Sequence, residues 1–156
     1  MSYLRGAVLF VAAMFVQWWW NCHLAYWGAA PQFLLALTML VAARRGPVPA
    51  MLIGYAWGLF SDTLRADLFG ADALLYALAG YGAGVVRRQL DLGSPEPLAA
   101  TVFLTTWAYA LMLGFLGHVF LKSFVWVGWV SFLTAPFMNA VVAVLGAALF
   151  ESWGEA

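Results

Sequence analysis

Charge is scarce in this chain, and so is cysteine. Only 9% of its 156 residues are Asp, Glu, Lys or Arg, and the formal net charge is zero. A soluble domain carries about 25% charged residues, so this composition excludes an ordinary water-facing globule. A neutral balance also offers no basic surface to nucleic acid. The single Cys22 excludes an internal disulfide and any multi-cysteine metal or cluster site. Low-complexity tracts, solenoid repeats and long linkers are missing. So are the signatures of catalysis: there is no Gly-x-Ser-x-Gly, no His-Glu-x-x-His, no glycine-rich phosphate loop and no inward carboxylate pair. Two histidines, His23 and His118, are a thin basis for acid–base chemistry. There is no array of intramembrane charges such as proton-coupled transporters use. The chain reads as a non-enzyme without cofactor.

What is present is apolar. Hydrophobic residues make up 65% of the chain, and mean hydropathy is +0.89. A spanning helix needs about 20 apolar residues, which leaves room for roughly six spans and little else. Prolines and charges punctuate them. The pattern predicts one integral membrane domain over residues 1–156, with spans at about 6–20, 31–43, 47–62, 71–86, 97–121 and 127–150. Pro31, Pro47, Pro49, Pro95 and Pro97 stand at span starts, where the missing N–H has no intrahelical partner anyway. Pro136 lies inside the sixth span and predicts a kink there. The first apolar run follows Arg5 but ends in Trp18-Trp19-Trp20 with no Ala-x-Ala-like cleavage site, so it reads as a retained span rather than a signal peptide.

Six spans put Arg5, Arg44, Arg45, Arg87 and Arg88 on one side, and Arg65 and Lys122 on the other. The positive-inside rule makes the first side cytoplasmic, with both termini inside. Trp18, Trp19, Trp20, Trp27, Trp126 and Trp129 gather at the opposite face, as the aromatic belt of a membrane interface does.

The most informative stretch is 54–81. Gly54, Gly58 and Asp62 recur every four residues and share one helical face. Gly80 and Gly84 repeat the spacing in the next span. Small residues four apart let helix backbones approach closely in lipid. A carboxylate at the end of such a stripe is costly unless solvated or paired; it reads either as a solvated helix-end group beside Arg65 or as a partner-binding group. Gly54, Gly58, Asp62, Gly70, Gly80 and Gly84 are therefore the candidates for helix packing or a partner interface. Gln17 and Asn139 are the buried amides; Asn139 lies one turn beyond Pro136, placed to satisfy a carbonyl freed by the kink. Cys22, His23, His118, Asp62, Asp67 and Asp72 fall toward the outer face, but their spacing matches no metal-ligand pattern.

Gly58-Leu59 with Asp62, then Gly70, Ala73-Leu74, Tyr76 and Gly80-Tyr81, resemble the signature of the bacterial rod shape-determining protein MreD family, which straddles the third and fourth spans there too. One departure is Tyr55 after Gly54, where that family often has Phe. The resemblance implies an all-α six-transmembrane-helix bundle in the bacterial inner membrane, similar to the substrate-binding subunits of energy-coupling factor transporters. It implies a non-catalytic scaffold of the wall-elongation machinery. Its direct partner would be MreC, a single-span protein; MreB, RodA and a class B penicillin-binding protein would be indirect partners, and membrane lipid would surround it. The alternative that the fold similarity supplies is a vitamin-binding subunit of such a transporter. Those subunits often dock through an Ala-x-x-x-Ala pattern in the first helix, and span 1 holds no Ala pair four apart.

Overall fold

A computed structural model describes residues 2–23, 31–64 and 68–154, with side chains described between 7 and 149. Among the described residues it is all-helical: α1 (Ser2–His23), α2 (Phe33–Arg45), α3 (Pro47–Thr63), α4 (Ala71–Val86), α5 (Pro95–Leu121) and α6 (Trp129–Gly154). Trp27, Arg65, Asp67 and the Arg5 side chain lie outside the described residues.

The boundaries follow from local chemistry. Pro47 opens α3 and Pro95 opens α5, where fixed φ and a missing donor suit a first turn. Gly46, at φ +89°, lets α2 end and α3 begin within a single residue. Gly70, at φ +93°, is the N-cap of α4, and its Cβ position faces open space. Its identity is set by the left-handed backbone rather than by packing. Pro136 lies inside an unbroken α6.

α2 is the hub. It is packed by α1, α3, α4, α5 and α6, and Leu34, Leu35, Ala36, Thr38, Met39, Leu40, Ala42 and Ala43 are all buried. At 13 residues it is only about 20 Å long. α1 rests on this core through the Phe10–Trp57 ring stack, the Trp57 indole N–H to Phe10 carbonyl bond, and the Gln17 amide donating to the Pro31 carbonyl.

Two helices, Pro95–Leu121 and the Trp129–Leu149 part of α6, are long and apolar enough to cross a bilayer. Their outer faces are strongly apolar: Leu104, Leu111, Phe115, Phe120, Phe137, Val141 and Leu145 are all exposed. Surfaces of that kind are stable against lipid rather than water.

Candidate partner and helix-packing site

α3 and α4 meet along their backbones. A Cβ on Gly54 would stand 2.6 Å from the Tyr76 carbonyl oxygen, and one on Gly80 would stand 2.6 Å from the Ala50 carbonyl oxygen. A Cβ on Gly58 would collide with the Cα of Ala73, and one on Gly84 with the Cα of Pro47. The register is thus antiparallel, 47 against 84, 50 against 80, 54 against 76 and 58 against 73, one helical turn per step. Thr38 of α2 closes the seam from a third side, its methyl 2.9 Å from the Cβ positions of both Gly54 and Gly80. The Thr38 hydroxyl meanwhile donates to its own helix at the Leu34 carbonyl.

Asp62 is the next step of the same stripe, and it meets the start of α4. Its side chain is 3% exposed. Oδ1 accepts the Asp72 N–H at 2.9 Å and Oδ2 accepts the Ala73 N–H at 3.1 Å. These are two of the donors that a helix N-terminus leaves without an intrahelical partner. Gly70, the residue at the N-cap, makes no side-chain cap; the carboxylate of the preceding helix takes that role. A negative charge is also favoured at the positive end of the α4 dipole. The reading of Asp62 as a solvated helix-end group is thereby corrected: the carboxylate is buried, and both oxygens are used within the chain.

Asp72 extends the arrangement to α5. It is 2% exposed, and the Tyr109 hydroxyl donates to its Oδ1. The Tyr76 and Tyr109 rings lie 5.7 Å apart beside it. Asp72 is therefore an interior residue rather than one of the outer surface. Among the described residues no three His, Cys, Asp or Glu side chains converge to hold a metal; Cys22 is exposed, and the His23 ring is hydrogen-bonded to the Trp19 carbonyl.

A second polar cluster joins α2, α5 and α6. Asn139 accepts the Gln32 backbone N–H at 2.8 Å and donates to the Thr106 hydroxyl at 3.1 Å. The expectation that Asn139 satisfies a carbonyl freed by Pro136 is corrected here. A proline at 136 has no N–H for the carbonyl of Phe132, and the Trp107 indole donates to that oxygen at 3.0 Å. A small cleft opens beside this cluster, between Gln32, Thr106, Ser131 and Pro136.

Sequence reasoning found Gly54, Gly58, Asp62, Gly80 and Gly84 but gave no packing role to three residues of the same seam, Ala73 being named only in the family signature. Ala50 and Ala73 are small, lie on the two stripes and are buried; the four-residue spacing back from Gly54 was a signal for Ala50. Thr38 carried no such signal, because its place depends on how α2 crosses the pair.

A family model described as rod shape-determining protein MreD matches residues 1–151. No curated protein and no solved structure matches the chain.

Proposed function

The chain belongs to the MreD family of rod shape-determining proteins, and on that premise we propose that it is a non-catalytic, multi-pass scaffold of the bacterial inner membrane that holds an MreC-like single-span partner and so helps to organise peptidoglycan synthesis. A role in rod shape determination and a membrane setting come with the family. All six helices cross the bilayer in this reading, with both termini cytoplasmic.

The observation that carries the reading is the family match across nearly the whole chain. The internal chemistry supports it. The buried polar side chains Asp62, Asp72, Thr106 and Asn139 are engaged in bonds between helices or along them, which is chemistry that fixes a shape. Because the Gly54–Asp62 stripe is consumed by α4, the partner meets the outer faces of the bundle, not this seam. Association in lipid must come from packing and polar contacts, so a rigid α3–α4 core would present those faces in one fixed arrangement.

The test is capture of an MreC-like partner from membranes, scored with recovery of rod shape in a depleted host. Capture and recovery are expected from the wild-type chain. Failure to capture, together with tight retention of a vitamin, would sink the scaffold in favour of a transporter subunit. Orientation is read separately. Cys22 is exposed and is the only thiol, so an impermeant maleimide should reach it from outside; labelling only after the inner leaflet is breached would invert the assignment.

A further inference from the structure

We propose that the turn between α2 and α3, together with the end of α4, forms a binding site for the phosphate of an anionic phospholipid, held by Arg45, Arg87 and Arg88. The inference rests on the six-span reading above, which puts these residues at the inner membrane surface.

The arginines come from the end of α2 and the end of α4, and the α3–α4 seam brings these two ends together. That seam ends where Gly84 meets Pro47. Three residues on, the Arg87 guanidinium reaches back over the preceding turn; a Cβ on Gly46 would stand 3.9 Å from its Nη1. Arg44 and Arg45 occupy the last turn of α2 immediately before Gly46, and Arg88 follows Arg87. All four are exposed. Arg44 is committed inward, donating from Nη2 to the Ala147 carbonyl of α6 at 3.0 Å. Among the described residues, no carboxylate lies within ion-pair distance of Arg45, Arg87 or Arg88. The nearest acidic residue along the chain, Asp91, is turned to its own loop, accepting from the Gly93 N–H and the Ser94 hydroxyl.

Three exposed arginines on two adjoining helix ends concentrate positive charge there, and the matching counter-group is a phosphate, which accepts the paired donors of an arginine. The α2 and α4 C-terminal dipoles favour cations here but supply no counter-ion. The surroundings select a lipid over a soluble anion. Val48 and Leu52 on α3, and Tyr81 and Val85 on α4, are all exposed and apolar, and they lie on the bilayer side of the arginines along their helices. A headgroup on the arginines would run its acyl chains along that flank. Basic clusters at the cytoplasmic ends of membrane helices bind acidic headgroups in this way.

The experiment reconstitutes the full chain in nanodiscs of phosphatidylcholine doped with phosphatidylglycerol, re-extracts it gently and counts the retained lipids by native mass spectrometry. The wild type should retain phosphatidylglycerol over phosphatidylcholine. Arg45→Gln, Arg87→Gln and Arg88→Gln together should reduce that preference by roughly fivefold per arginine removed, whereas Lys122→Gln at the opposite end should leave it unchanged. An unaltered preference in a triple variant that melts like the wild type would overturn the site. If the triple variant does not fold, wild-type retention in low and high salt decides: release by salt supports the site, and full retention in high salt overturns it. Inorganic phosphate raising the melting temperature of the lipid-free chain as much as phosphatidylglycerol does would make this a free-anion site, against the proposal. Lipid count is independent of partner capture, and Cys22 labelling reports orientation, so failure here and failure of the scaffold reading are told apart.

Discussion

The α3–α4 pair and the α5–α6 pair solve the same problem, two antiparallel helices held together in an apolar setting, by opposite means. α3 and α4 are short, at 17 and 16 residues, and touch through backbone, with Gly58 against Ala73 and Gly84 against Pro47. α5 and α6 are long, at 27 and 26 residues, and touch through rings. Phe103 meets Phe137 edge-on at 4.9 Å, and Trp107 stacks on Phe132 at 5.9 Å. The first contact tolerates no added atom, because backbone cannot rotate away. The second is adaptable, because a side chain can change rotamer. The polar bonds divide the same way: a buried carboxylate on two backbone amides in the first pair, and neutral groups in the second, the Trp107 indole on the Phe132 carbonyl and the Asn139 amide on the Thr106 hydroxyl.

The comparison breaks first at Gly58. Gly58→Leu drives a side chain into the Ala73 backbone and should cost about 3 kcal/mol or more, the upper range for overpacking. Its control lies on the partner helix. A Cβ on Gly82 meets nothing within 4 Å, so Gly82→Leu should melt close to the wild type in detergent. Equal melting of the two variants would mean that α3 and α4 do not meet along the glycine stripes.

Asp62→Asn comes next. The amide keeps one acceptor oxygen but turns its NH2 toward an N–H of α4, so a buried donor loses its partner, at about 1–3 kcal/mol. Hydrogen exchange at the Asp72 and Ala73 amides is the specific readout, and both should exchange faster. Unchanged protection would show that the cap does not form. Partner capture should fall only as far as the fold loosens, because the carboxylate faces inward.

The glycine stripe was legible because its signal is local: residues four apart must share a face whatever the tertiary fold. Two helix starts were legible for a similar reason, since Pro47 and Pro95 suit a first turn by their own chemistry. What Asp62 does was not legible. Its partners are backbone amides, which every sequence possesses, and their position depends on the left-handed turn at Gly70. Trp107 was hidden for the opposite reason. Pro136 announces a freed carbonyl, but a donor on another helix answers it, not the asparagine one turn on. Length separates the helices further: α5 and α6 are long enough to cross a bilayer, while α4 is apolar but only 16 residues.

Trp107→Phe probes the second pair. It keeps most of the ring packing and removes the indole donor to Phe132, so the expected loss is about 1 kcal/mol, one hydrogen bond. The loss should be smaller than that for Asp62→Asn, since bonds between membrane helices average only about 0.6 kcal/mol. A loss as large as that of Gly58→Leu would make the α5–α6 seam as intolerant as the α3–α4 seam, and the contrast would fail.

The smallest effect is expected at Leu145 on the outward face of α6, which is 58% exposed. In water, trimming a half-exposed leucine would remove little buried area; in a bilayer or micelle the removed methyl groups are replaced by acyl chain, so the exchange is nearly neutral. Leu145→Ala should therefore stay within about 0.5 kcal/mol of the wild type. The same substitution also tests what covers this face. If the purified chain melts normally but the variant loses its MreC-like partner, α6 supplies the docking surface, and the tolerant pair is the one that recruits while the intolerant pair holds the frame. If capture and melting are both unchanged, the Leu145 face meets lipid, and recruitment must be sought on α1 or on the outward sides of α3 and α4.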